Sequence, residues 1–102
     1  IIKGGENIAP REIDEALYAN PDVIEAAAFS VPCETYGERV HAAVKLRDGT
    51  KISVENLIEE CVNRLGEFKA PDQVFVLEEL PKGPSGKIQR VMLAKFIENI
   101  AK

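Results

Sequence analysis

The sequence predicts an α+β domain, a small mixed β-sheet flanked by about three helices, on three observations. Two apolar-rich runs, Val23 to Val31 and Val40 to Leu46, read as strands, and a shorter buried one covers Val74 to Leu77. Three other segments repeat their apolar residues at helical spacing. The 102 residues suffice for one modest core and are too few for a core plus a deep, enclosed substrate cavity.

In chain order, Ile1-Ile2-Lys3 reads as a strand that runs into a Gly4-Gly5 turn. Pro10 suits a first helical position, Ile13, Ala16 and Leu17 follow at helical spacing, and Asn20-Pro21 stops the segment. Between the two long strands, Pro32 to Glu38 carries the Pro and Gly expected of a connection. Asp48-Gly49 makes a turn and Ser53 is placed to cap a second helix, whose apolar face holds Leu57, Ile58, Cys61, Val62 and Leu65. A last helix puts Leu93, Ile97 and Ile100 on one face. The chain shows no repeat or low-complexity stretch, and it opens in what reads as mid-strand without a Met. It is therefore expected to be a piece of a longer protein.

Composition narrows the function classes. An apolar fraction of 45% and a charged fraction of 29% are ordinary for a globular domain. A net charge of −4 argues against a module that tracks nucleic-acid phosphates or lies on an anionic membrane. Cys33 and Cys61 have neither C-x-x-C spacing nor a His partner, so two reduced thiols are expected rather than a disulfide or a zinc site. No apolar run approaches membrane-spanning length, and the opening residues lack the layout of a secretory signal. His41, the one histidine, sits in a strand and is expected to be satisfied or exposed, with no chemical role.

The segment from Leu80 to Arg90 is the most unusual part of the chain. Gly83, Pro84 and Gly86 alternate with Lys82, Lys87 and Arg90 just ahead of a helix. Glycine lets a backbone approach a ligand closely, and Pro84 restrains the loop so that Lys87 can stand on a short tip. An ammonium on a flexible stem suits phosphate and carboxylate oxygens. A nucleotide P-loop is excluded, because Gly83 is too close to Lys87 and Ile88 stands where a Ser or Thr is needed. An arbitrary string of this kind would be a solubilising surface turn.

Pro81-Lys82-Gly83-Pro84-Ser85-Gly86-Lys87-Ile88-Gln89-Arg90 resembles the P-K-x-x-[ST]-G-K-[IL]-x-R signature of the AMP-forming acyl- and aryl-CoA synthetases. That family includes luciferases and the adenylation domains of peptide synthetases. Ile2-Lys3-Gly4-Gly5-Glu6-Asn7-Ile8-Ala9-Pro10-Arg11-Glu12-Ile13 resembles a second signature of the same family. Asn20-Pro21, the Val31-Pro32 strand exit, Tyr36-Gly37-Glu38 and Phe68-Lys69-Ala70-Pro71 match between them, so the resemblance covers essentially the whole chain.

The resemblance implies that residues 1–102 are a single mobile C-terminal lid domain, with the N-terminal AMP-binding domain and the hinge preceding Ile1. It implies two half-reactions on a small-molecule carboxylate: adenylation by ATP, then displacement of AMP by the thiol of coenzyme A. Lys87 would be the catalytic lysine of the first step, and a target for reversible acetylation. Gly4, Gly5 and Glu6 would face the active site in the second step, where side-chain-free residues leave room for the pantetheine arm. Phe68 and Lys69 resemble positions that meet the coenzyme A nucleotide in some relatives, although Ala70 and Asp72 are not cationic here. Phe68 reads equally well as core. ATP and Mg²⁺ would be held mainly by the N-terminal domain, and Arg90 would anchor the loop.

Gly-Gly-Glu-Asn-Ile is more similar to medium-chain, aryl, malonyl or oxalyl-CoA ligases than to peptide-synthetase domains. Two other readings stand beside this one. The chain could be a non-catalytic nucleotide- or protein-binding α+β module using Lys82 and Lys87, or an adenylation domain that serves a carrier protein. The expected compartment is the cytoplasm. The end Ile100-Ala101-Lys102 is not a Ser-Lys-Leu peroxisomal address, and trimming of the C-terminus would leave that compartment open.

Overall fold

A computed structural model describes residues 1–100. Ala101 and Lys102, part of the end weighed above as an organelle address, lie outside the described residues. The elements run β1 (Ile2–Lys3), β2 (Glu6–Asn7), α1 (Pro10–Tyr18), β3 (Val23–Cys33), β4 (Gly37–Leu46), α2 (Val54–Leu65), β5 (Gln73–Val76), a 3-10 turn (Arg90–Met92) and α3 (Leu93–Ile100).

The strands form two sheets rather than one. β1 and β2 make a small antiparallel hairpin, and the main sheet has the order β3-β4-β5. β3 pairs antiparallel with β4, while α2 supplies the crossover that lets β5 run parallel to β4. Both long strands extend beyond their expected limits, pairing Pro32 with Glu38 and Cys33 with Gly37. Proline is tolerated there because β3 is an edge strand and can spare one donor. The free edge of β3 is not left bare. The Tyr18 hydroxyl accepts from Ala26 N–H at 3.0 Å, and Asp14 Oδ1 accepts from Ala28 N–H at 2.7 Å.

Alternation along the strands divides the core between the two faces of the sheet. One face buries Ala26, Ala28, Ala42 and Val44 with Ile13 and Leu17 of α1 and Leu57 and Cys61 of α2. The opposite face buries Ala27, Phe29 and Ala43 with Leu80 and Leu93, and Ile88 and Ile97 pack against them. Because both faces are covered, the strands read in sequence as continuous apolar runs. The alanines let α1 and α2 lie close to the sheet.

Helix boundaries follow their caps. Pro10 occupies the first turn of α1, and Ser53 Oγ accepts from Asn56 N–H at 3.1 Å at the start of α2. Two expectations on burial need correcting. Ile100 is 60% exposed at the end of α3, and Val76 is 51% exposed on the edge strand β5.

Candidate functional site

The segment between β5 and α3 is a miniature hairpin. Lys82 bridges to Ile88, Gly83 N–H donates to Lys87 C=O at 2.9 Å, and Gln89 N–H donates to Pro81 C=O at 2.8 Å. A further bond from Gly86 N–H to Gly83 C=O at 3.0 Å tightens the tip. Gly86 has φ +83°, a conformation that strains any L side chain.

Charged clamps hold both legs of this hairpin. On one leg the Lys82 ammonium meets Glu25 of β3 at 2.8 Å and Glu79 at 2.9 Å. Glu79 also meets Lys45 of β4 at 2.7 Å, and the Lys45 and Lys82 ammoniums together pull its carboxyl down to about 2. Glu25 and Glu79 in turn raise the pKa of Lys82. On the other leg Arg90 takes the anchoring place expected of it. Its guanidinium donates to the two Asp14 oxygens at 3.1 and 2.8 Å and to Ala28 C=O at 2.6 Å. Lys82 is thereby committed to structure, which weakens any reading in which it grips a ligand. Lys87 is exposed at the tip, and among the described residues it enters no ion pair.

The glycine turn is built separately. Gly4 and Gly5, at φ +56° and +84°, form the two-residue loop of the β1–β2 hairpin, with Lys3 opposite Glu6. Gly4 N–H donates to Tyr36 C=O at 2.8 Å. A Cβ on Gly4 would stand 3.3 Å from the Tyr36 ring and 3.5 Å from that of Phe68, so the turn needs glycine for space as well as for φ. Around Gly5 that space is open. Phe68 is 38% exposed and meets Tyr36 edge to face, with centroids 6.0 Å apart. It therefore belongs to a surface cluster rather than to the core.

The structure thus brings Gly4 and Phe68 together, with Gly5 next to Gly4 in the same turn. Glu6 is exposed on β2 beside them. Lys69 behaves differently, because its ammonium meets Glu12 of α1 at 3.3 Å. Two participants escaped the sequence reading. Tyr36 is legible there only as a motif match, and Lys3, 5% exposed, sends its ammonium beneath the two rings. Its place inside the glycine signature is the one local signal.

His41 corrects an expectation. It is neither satisfied nor exposed: it lies half-buried between Phe29 and Phe75, at centroid distances of 5.9 and 5.7 Å, and its buried Nε2 has no hydrogen-bond partner among the described residues. Burial lowers its pKa, with Asp72 opposing the shift. Both cysteines are free. Among the described residues, no group of three His, Cys, Asp or Glu side chains could hold a metal ion.

The sheet with its two helical covers, the clamped lysine hairpin and the glycine turn together define the class of domain. The sequence model of the AMP-binding enzyme C-terminal domain matches residues 12–87, and the chain belongs to that family. It is 50% identical over 93 residues to the sulfoacetate–CoA ligase of Cupriavidus necator, covering 91% of this chain and 18% of the relative. It is 46% identical over 99 residues to the oxalate–CoA ligase of Arabidopsis thaliana, covering 96% of this chain and 19% of the relative. Apo MatB from Rhodopseudomonas palustris superposes with a TM-score of 0.89 at 33% identity, over 100% of this chain and 20% of that one. The chain therefore spans about a fifth of the length of the relatives it matches.

Proposed function

We propose that the chain is the C-terminal lid domain of an ATP-dependent, AMP-forming carboxylic acid–CoA ligase, and that Lys87 is its adenylation lysine. The observation that carries this reading is the contrast between the two lysines of one hairpin. Lys82 is neutralised by two carboxylates, while the ammonium of Lys87 is exposed on a tip clamped at both legs.

The chemistry suits such a group. In the first half-reaction a substrate carboxylate oxygen attacks the α-phosphorus of ATP, the bond to pyrophosphate breaks, and acyl-AMP forms. Negative charge gathers on the oxygens around phosphorus, and a positioned cation stabilises it. In the second, the sulfur of coenzyme A attacks the acyl carbon, the bond to AMP breaks, and the thiol proton is released. The Gly4–Gly5 turn, with open space at Gly5, would then flank the pantetheine arm, with Glu6 and Phe68 beside it. Lys69 would reach the nucleotide of coenzyme A only by leaving Glu12.

ATP is used with Mg²⁺ in this reading. The metal and the acid pocket are assigned to an N-terminal AMP-binding domain, as the family resemblance implies. No described helix is long and apolar enough to cross a membrane. Two free cysteines fit a reducing compartment, and the cytoplasm is the compartment assigned.

The test separates the half-reactions in the full-length enzyme. Lys87→Ala should lower ATP–pyrophosphate exchange by about 10²–10³-fold, the usual loss for one electrostatic donor to a transition state. Thioester formation from supplied acyl-adenylate should stay within a few-fold. Equal loss of both steps would remove the role assigned to Lys87.

A further inference from the structure

We propose that Lys3 is the positioning residue of the thiol-step face, the group that locks three separate segments into one platform. This deepens the ligase reading above and rests on it.

The starting point is a buried cation that meets no anion among the described residues. Lys3 is 5% exposed, yet among the described residues it enters no ion pair. Glu6, its partner across the β1–β2 ladder, is exposed and leaves it unpaired. Burial of an ammonium is costly unless other interactions replace its water. Here they come from elsewhere in the chain. Nζ donates to Phe68 C=O at 2.8 Å and lies 4.6 Å from the Phe68 ring centroid and 5.2 Å from that of Tyr36. Ring faces carry negative charge, so both attract the cation.

These contacts join three stretches that are distant in sequence. The glycine hairpin supplies Lys3, the turn after α2 supplies Phe68, and the connection between β3 and β4 supplies Tyr36. Two more bonds close the arrangement. Gly4 N–H donates to Tyr36 C=O at 2.8 Å, and Ile2 N–H donates to Glu38 Oε1 at 2.7 Å. Neither involves the ammonium, and neither reaches Phe68. Among the described residues, Lys3 is thus the direct polar link between the glycine hairpin and the Phe68 turn. Without it, the Phe68 ring and the turn would be free to drift apart. Displacements of about 1 Å at a reacting site cost up to roughly 100-fold in rate.

The experiment uses the full-length enzyme with Lys3→Met and Lys3→Arg. Methionine keeps an unbranched apolar stem and removes the charge, whereas arginine keeps a cation that stacks on rings. Three quantities are read: ATP–pyrophosphate exchange, thioester formation from supplied acyl-adenylate, and amide hydrogen exchange of peptides covering residues 1–8, 33–38 and 66–70.

Lys3→Met should slow the thioester step on the order of 10–100-fold and leave pyrophosphate exchange within about twofold. Lys3→Arg should recover most of that loss. Amide exchange in all three peptides should rise together in the methionine variant. Equal damage to both half-reactions would make Lys3 a stability residue only and overturn the proposal, as would unchanged amide exchange. If the unaltered enzyme adenylates no carboxylate, the ligase reading fails on its own. Amide exchange then still decides the junction: joint loosening of the three segments upholds the lock, and loosening of residues 1–8 alone refutes it.

Discussion

Removing the Arg90 guanidinium tests whether the Lys87 hairpin is held from the β3 side. Arg90 satisfies both oxygens of Asp14 and the carbonyl of Ala28, and Asp14 itself accepts from Ala28 N–H at 2.7 Å. In Arg90→Ala the Asp14 carboxylate, with a side chain 14% exposed, would keep one donor and lose its counter-charge. Breaking a fully buried pair costs about 3–5 kcal/mol, and an exposed pair is worth about 0–1 kcal/mol. The Arg90 side chain is 34% exposed, so solvent screening brings the loss to an intermediate value, about 2–3 kcal/mol. At about 4–8 °C per kcal/mol for a domain of this size, the melting temperature of the 102-residue chain should fall by roughly 8–24 °C. Calorimetry or thermal circular dichroism reads this directly. Asp14→Ala should cost a comparable amount, and the double variant should fall short of the sum by about 1 kcal/mol or more. Additive losses, or a fall of less than about 2 °C in Arg90→Ala, would refute the reasoning.

Two further outcomes follow from the perturbed groups. Donation from the Tyr36 backbone N–H and then from Arg39 holds the Cys33 thiol below its ordinary value, while burial pushes Cys61 up to about 11. Cys33 should therefore be alkylated at neutral pH well before Cys61, as peptide mass spectrometry would show; similar rates would contradict this. Burial depresses the pKa of His41 below its ordinary 6.5, so the unfolded chain takes up a proton that the native one resists. Its contribution is fully present above pH 6.5 and is lost as pH falls from there through the native value. His41→Leu should flatten the urea midpoint across that window and be neutral or stabilising at pH 7.5, because it removes an unpartnered nitrogen. An unchanged pH profile would count against it.

What was legible in the sequence was local. Pro10, Ser53 and the helical spacing of Leu57 and Cys61 act within a few residues of themselves, and the helices stand where those signals put them. The Gly4–Gly5 and Gly86 conformations are legible for a related reason, since few residues adopt a positive φ. The environment of His41 was not, because it depends on a register that sets Phe29 on one side and brings Phe75 near on the other. The two lysines of the hairpin state the limit most sharply. Five positions apart in one motif, they are chemically the same group, and composition treats them alike. Lys82 is tied to β3 because Glu25, 57 residues away, comes within 2.8 Å when that strand forms, beside the nearby Glu79. No such partner meets Lys87 among the described residues. Among the described residues Lys87 is a cation without an anionic partner, held out on a loop braced at both legs, and only the folded chain separates it from its neighbour.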